Sequence, residues 1–552
     1  MSQDIDTLYK TVVRTSICPD VIRSSTHPRN AFYPAGKTRA LWSLNITVRN
    51  RSISAAPAQN IMSLRNISFF TLAILASFGN VQARNLDTRA DTNGLIVDLG
   101  TAGIYEGILQ NNGTVQSWKG IPYAAAPVGD LRFKGPRPLP EQSSEVIDVS
   151  DDALRCIQFG GVSNIIGVKA GPGVEDCLKL WIWKPVSAKK NSKLPVVIYT
   201  HGGGLQFSSA PNNDFSDWVG QEQNFIAINP AYRLGAFGFI ASEDLTKENE
   251  TANAGLLDQR FAVEWVKKNI AAFGGNPNDI TIQGQSGGGL AVITQLVLFD
   301  GKGAPFQKAI ARSIQRGATF TIAEHKERNN KLAEILGCSG TTSQIACFRN
   351  ASPADFVKAT DSLSMMKSSN GLVFGGFLPT IDGVTLTDTV TKLLQKGKFA
   401  QVPFIGGHVT DEAAGVTPKD VSRVDASIVG QWNLSASNIE KALKLYPVNS
   451  SFGSASGTGN FFLSTFDAAV HANAGFGEGG ITCSERVANY AFSRFGPKSG
   501  TWGVRFEAPT VSFASPIDDF PLAQIPHSAD NSYLQITECY GRHATLREGA
   551  RP

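Results

Sequence analysis

After residue 83 the 552-residue chain has no apolar stretch that approaches the roughly twenty residues needed by a membrane-spanning helix, so a bilayer-spanning protein is not expected. It also lacks internal repeats, Gly/Ser linkers and runs of like charge, so nothing in the composition marks a boundary between domains. An excess of one charge is missing too. The formal net charge is +4, but residues 1–83 hold nine Lys/Arg and three Asp/Glu of the 51 and 47 in the chain, which leaves residues 84–552 at −2. No nucleic-acid partner is expected from that balance. What is present is apolar: 42% hydrophobic against 18% charged residues, enough for a large core and incompatible with a disordered or coiled-coil protein.

The front of the chain falls into two unlike pieces. From Met62 the sequence MSLRNISFFTLAILASFGNVQA has Arg65 as its charged start, an apolar run from Phe69 to Phe78, and Val81-Gln82-Ala83 as a small-residue cleavage site. Residues 62–83 therefore read as a secretory signal peptide and the product as extracellular. Residues 1–61 show no sustained periodicity and would hide such a signal, so they are read as a leader added by a wrongly chosen start; a disordered cytosolic leader before a buried apolar segment is the alternative.

Secretion changes how the seven cysteines are read, because an oxidising compartment favours disulfides over metal thiolates. Cys156 and Cys177 enclose twenty residues and Cys338 and Cys347 enclose eight, and each pair is expected to form a local staple. The longer loop would gain roughly 3 kcal/mol in a chain-entropy account. Cys18, Cys483 and Cys539 stay unassigned. Five glycosylation sequons follow the signal, at Asn112, Asn249, Asn350, Asn433 and Asn449.

Past Ala83, short apolar runs alternate with amphipathic stretches, the pattern of an α/β protein whose large, mostly parallel sheet carries helices on both faces. Strands are expected at Pro195–Tyr199, Phe225–Ile228 and Ile280–Gln283, each followed by a turn or glycine cluster. A helix is expected over Leu257–Ile270, where Phe261, Val263, Trp265, Val266 and Ile270 roughly track one face. One domain from about residue 84 to the end is the simplest reading.

The chemistry begins at Gly284-Gln285-Ser286-Gly287-Gly288. With 54 glycines in the chain this pattern means little alone, but it lies between a strand and the apolar run Leu290–Leu296. A nucleophile elbow is a strained strand-to-helix turn whose crowded neighbours must be small, and Gly284, Gly287 and Gly288 meet that demand. A glycine-rich turn with an incidental serine is the alternative. Upstream, a strand runs into His201-Gly202-Gly203-Gly204, where bare backbone N–H groups can face a developing oxyanion. His201, at the start of this loop, is expected to anchor it and not to act as a base.

These elements sit among blocks that resemble the type-B carboxylesterase/lipase family of α/β hydrolases, and secreted fungal carboxylesterases in particular. The blocks are Trp118–Ala124, Pro127–Phe133, Glu175–Leu178, the His-Gly-Gly-Gly loop, Asn229–Leu234, Gly255–Arg260 and Phe273–Pro277, and the likeness covers roughly residues 95–530. The resemblance implies an α/β-hydrolase fold and a Ser-Glu-His triad in that chain order. Ser286 matches the nucleophile. Glu412, in Asp411-Glu412-Ala413-Ala414-Gly415 after Val402–Gly407, matches the acid, with Asp411 as its rival. Among the histidines after Glu412, His527 in Pro526–Asn531 matches the base by its spacing and loop, in preference to His471 and His543. The N–H groups of Gly203, Gly204 and Gly287 would form the oxyanion hole; the family's third donor is commonly alanine, and Gly287 departs from that while keeping its N–H.

The implied activity is hydrolysis of small-molecule carboxylic esters through an acyl-enzyme, without metal or organic cofactor. The loop Ile157–Asp176 has no Trp or Tyr for a quaternary ammonium, which argues against choline esters, and its length favours soluble esters over the glycerides of a lipase. Leu205, Phe207, Phe237 and Phe239 are candidates for an acyl pocket or for core. From about residue 536 the sequence departs from the family, which reads as truncation or a misjoined exon. Two other readings are a catalytically silent adhesion module on this fold and a product that does not fold.

Overall fold

The apolar runs that end in glycine clusters become the centre of a nine-stranded sheet. The computed structural model describes residues 94–506 except 143, 152–154, 161–172, 316–318, 364–366, 369–370, 373–376, 411, 413–479 and 499, together with 527, 528, 530 and 531. The leader, the signal peptide, Cys18, Asp411, His471, Asn433, Asn449, Cys539, His543 and the segment from 536 lie outside the described residues.

In chain order the strands are β1 (Ile96–Asp98), β2 (Ile104–Glu106), β3 (Ile108–Gln110), β4 (Val115–Pro122), β5 (Val146–Asp148), β6 (Lys179–Pro185), β7 (Leu194–Thr200), β8 (Ile226–Pro230), β9 (Gly275–Gln285), β10 (Lys308–Arg312), β11 (Phe404–Val409) and β12 (Thr501–Phe506). The large sheet runs β12-β11-β10-β9-β7-β8-β6-β4-β3, and β1, β2 and β5 form a small separate one. Six neighbours from β8 to β12 pair in parallel, while β6, β4 and β3 close one edge antiparallel. Parallel strands are covered on both faces and therefore read as continuous apolar runs. Val196–Thr200 and Ile226–Pro230 are accordingly buried at every position. The three expected strands lie within β7, within β8 extended by a residue before it, and within β9.

Helix α1 (Ala254–Asn269) packs Leu256, Ala262, Val263 and Val266 into the core, and α2 (Gly287–Val297) follows β9 directly and is buried at every residue. Helices α3 (Ile322–Leu336) and α4 (Pro353–Leu363) pack on each other, and α5 (Cys483–Phe495) packs against β11. The chain leaves β7 for β8 on one side and returns as β9 on the other side of β7. This reversal opens a crevice at the carboxyl ends of β7 and β9, the place where open α/β sheets bind ligands.

Sequence blocks far apart in the chain pair in space. Arg132 grips Glu175 with two hydrogen bonds of 2.6 and 2.7 Å, and Arg233 grips the fully buried Asp258 with bonds of 2.8 and 2.7 Å. Buried pairs of this kind add little net stability when intact, but losing one partner costs roughly 3–5 kcal/mol because a charge is left stranded. Cys156–Cys177 and Cys338–Cys347 are bonded, as the sequence suggested, and Cys483 is a free, exposed thiol.

Candidate active site

At the crevice, β9 ends in Gln285 and Ser286 stands at φ 60°, ψ −124° before α2 begins. That backbone conformation is costly for a residue with a Cβ and persists only where the surroundings enforce it. Here the enforcement is steric. A Cβ on Gly284 would lie 2.3 Å from the Gly288 carbonyl oxygen, and one on Gly288 would lie 2.0 Å from that of Thr200, at the end of β7. Strand, helix and neighbouring strand thus meet at backbone contact. The Ser286 N–H donates to the Arg312 carbonyl at 3.0 Å, which ties the turn to β10 as well. Ser286 also sits at the positive end of α2, which favours negative charge developing beside it.

The His-Gly-Gly-Gly loop leaves β7 and crosses this turn. Gly203 holds φ 95°, and a Cβ there would lie 2.1 Å from the Phe207 carbonyl oxygen. The Gly204 nitrogen lies 2.6 Å from where a Gly287 Cβ would be, so Gly287 and the loop approach closer than an alanine would allow. His201 is buried; its ring stacks on Tyr232 at 4.5 Å, its Nδ1 lies 2.9 Å from the Gly202 carbonyl, and the Tyr232 hydroxyl donates to the His201 carbonyl at 2.8 Å. Burial lowers its pKa to about 4, so it is neutral at pH 7 and holds the loop by hydrogen bonds and stacking.

Three residues from separate parts of the chain converge beside this loop. His527 Nε2 lies 2.8 Å from Ser286 Oγ, and His527 Nδ1 lies 2.6 Å from Glu412 Oε2. Glu412 is 1% exposed, and its Oε1 accepts the Val409 N–H at 2.9 Å, so the end of β11 aims the carboxylate. An ionised carboxylate only accepts, so Nδ1 carries the proton and Nε2 is left as an acceptor facing the serine hydroxyl.

Side chains to which the sequence drew no attention surround the imidazole. Gln285 Nε2 lies 3.3 Å from His527 Nε2, and Gln285 Oε1 accepts from Asn531 Nδ2 at 3.3 Å. Arg312 donates to Asn531 Oδ1 at 3.0 Å and forms an ion pair with Asp530. Asp530 and Asn531 lie inside the quoted histidine loop, but no local signal points to Arg312, 218 residues upstream of Asp530.

Of the candidate pocket residues, Leu205, Phe237 and Phe239 are buried core, with the Phe237 ring 6.1 Å from that of Phe159 and 5.1 Å from that of Phe356. Phe207 is only half-buried.

The family model described as "Carboxylesterase family" matches residues 95–471. The chain belongs to the carboxylesterase family. It is 32% identical over 403 residues to "Lipase 1" of Geotrichum candidum, covering 64% of this chain and 70% of that one. It is 35% identical over 345 residues to the "Para-nitrobenzyl esterase" of Bacillus subtilis, covering 60% and 67% respectively, and 33% identical over 327 residues to "Secreted lipase 1" of Botryotinia fuckeliana, covering 54% and 56%. The solved structure of Aspergillus niger EstA superimposes with a TM-score of 0.67 at 27% identity over 78% of this chain and 80% of that one. Family and fold together make this a carboxylic ester hydrolase of α/β-hydrolase fold, acting on small-molecule esters. No helix among the described residues is long and apolar enough to cross a membrane.

Proposed function

We propose that this carboxylesterase is a secreted serine esterase that works through an acyl-enzyme, with Ser286 as nucleophile, His527 as general base and acid, and Glu412 as the group that orients and stabilises the imidazole. The observation that carries this reading is the two-step relay of 2.8 and 2.6 Å from Ser286 through His527 to Glu412. As Ser286 Oγ attacks the ester carbonyl carbon, its proton passes to His527 Nε2, and the Glu412 carboxylate stabilises the imidazolium through Nδ1–H. The carbonyl oxygen takes up negative charge against the N–H groups of Gly203, Gly204 and Gly287. His527 then gives its proton to the departing alkoxide, and the acyl-enzyme is released when His527 activates a water.

Secretion through the signal at 62–83 is supported by two disulfides and by relatives named as secreted lipases in Botryotinia fuckeliana and Gibberella zeae. The sequon asparagines Asn112, Asn249 and Asn350 are all exposed, as carriers of glycans must be. A lipase acting on glycerides is the second reading, favoured by the match to "Lipase 1" of Geotrichum candidum.

The purified chain should hydrolyse p-nitrophenyl esters, fastest with short acyl groups, and an organophosphate should label one serine per molecule. Ser286→Ala should abolish the labelling and lower kcat by about 10⁶-fold, by comparison with subtilisin, where removing the serine costs about that much. A folded chain that neither turns over nor takes the label would overturn the reading; preference for long-chain glyceride emulsions would decide for the lipase.

A further inference from the structure

We infer that Arg312 is a positioning residue for the base: its guanidinium clamps Asp530 and Asn531 and so fixes the segment that carries His527. The inference rests on the triad reading above. Arg312 ends β10 and works in two directions. Its carbonyl accepts the Ser286 N–H at 3.0 Å, which holds the nucleophile's backbone. Its guanidinium donates through Nη2 to Asn531 Oδ1 at 3.0 Å and pairs through Nη1 with Asp530 Oδ2. One residue at the end of a central strand therefore sets both partners of the proton transfer against each other.

The geometry points away from an incidental surface pair. The Arg312 and Asp530 side chains are only 12% and 10% exposed, so solvent screens the pair little. A planar guanidinium holds two adjacent acceptors at a fixed angle, whereas an ammonium would reach one of them as a point charge. Asn531 extends the clamp, because its amide donates to Gln285 Oε1 at 3.3 Å while Gln285 Nε2 lies 3.3 Å from His527 Nε2. His527 precedes Asp530 by three residues, too few for the imidazole to keep its place if that anchor is released.

Misplacing a reacting group by about 1 Å costs about 100-fold in rate. Arg312→Met in the full chain should therefore lower kcat by about 10- to 100-fold and leave KM within about twofold, because the clamp acts on the segment that carries the base and not on the substrate. Arg312→Lys should recover part of kcat. Adding Asp530→Asn to Arg312→Met should cost less than the sum of the two single changes, since both act through one contact. The number of serines titrated by organophosphate reports the folded fraction. If kcat per titrated site is unchanged in Arg312→Met, so that total activity falls only as the folded fraction falls, the inference is overturned. A readout independent of turnover is the low-field proton resonance of the His527–Glu412 hydrogen bond, expected in the wild type and in Arg312→Lys and lost in Arg312→Met. Retention in Arg312→Met overturns the clamp. A wild type that shows the resonance but neither turns over nor labels overturns the triad reading instead, and the loss or retention of the signal still decides for or against Arg312.

Discussion

The two halves of the catalytic centre are fixed by different physics. The nucleophile half, from Gly284 to Gly288 with Gly202 to Gly204 across it, is held by backbone packed on backbone so closely that several positions admit no Cβ. The base half, Glu412 and His527, is held by side chains: a carboxylate aimed by the Val409 N–H, an imidazole on that carboxylate, and the polar contacts of Arg312, Gln285, Asp530 and Asn531. Steric fixing is stiff and shows locally in sequence as glycine. Polar fixing depends on partners hundreds of residues apart and leaves no local trace. The same difference predicts how each half fails, the first through folding and the second through rate.

Among changes that leave the nucleophile Ser286 in place, the base half gives the largest expected effect. Glu412→Gln keeps the shape and an acceptor for the Val409 N–H, but it sets an amide against His527 Nδ1 and removes the carboxylate that fixes the tautomer. Nδ1 then turns acceptor and Nε2 carries the proton, so it can no longer take one from Ser286. A similar exchange in a serine protease lowers kcat by about 10⁴-fold, and a loss of that order is expected here with a melting temperature within a few degrees of wild type. Ester kinetics beside a thermal melt decide it; equal damage to both would erase the distinction between the halves.

The nucleophile half should show the opposite pattern. Gly288→Ala puts a methyl 2.0 Å from the Thr200 carbonyl oxygen, which belongs to a buried strand that cannot move aside. Overpacking typically costs about 1–3 kcal/mol, and the upper end or beyond is expected because both sides are backbone. The urea midpoint should drop, and the surviving folded fraction should lose kcat as the elbow shifts. A variant as stable as wild type would mean that α2 can slide away from β7.

The legibility of the fold follows the same division. The parallel strands were readable because burial on both faces makes them continuous apolar runs, and the predicted ranges differ from β7, β8 and β9 mainly at their ends. The expected helix begins three residues earlier than its apolar pattern suggested, because Ala254 and Gly255 carry little periodicity and are packed into the helix by tertiary contacts. Ser286 and the glycine loop announced themselves through a local steric demand. Glu412 and His527 became legible only through resemblance, since an acidic turn and a histidine loop have no chemistry of their own until the fold joins them. Arg312 was invisible on either ground. Leu205, Phe237 and Phe239 show the limit in the other direction: apolar residues beside a site are packed core as readily as pocket lining.

The smallest expected effect is on stability against pH, read at a residue outside both halves. In the nucleophile half His201 is buried and its pKa is lowered to about 4; His325 on α3, buried with its Nε2 2.8 Å from Thr380 Oγ1, is lowered to about 3 by burial and, to a lesser degree, by Arg328. Both folded-state values lie below the ordinary 6.5, so between pH 6.5 and about 4 the unfolded chain binds more protons than the folded one, and stability falls as the solution is acidified. The contribution is complete above pH 6.5 and is withdrawn as pH drops through that window. His325→Gln, which keeps a hydrogen-bonding side chain but cannot take up a proton, should flatten the decline in urea midpoint between pH 7 and 4.5 relative to wild type. It should leave the ester kinetics at pH 7 unchanged, because His325 belongs to neither half of the catalytic centre. An unaltered slope would mean that the acid sensitivity arises elsewhere, and His201, lying against the oxyanion loop, would be the next position to substitute.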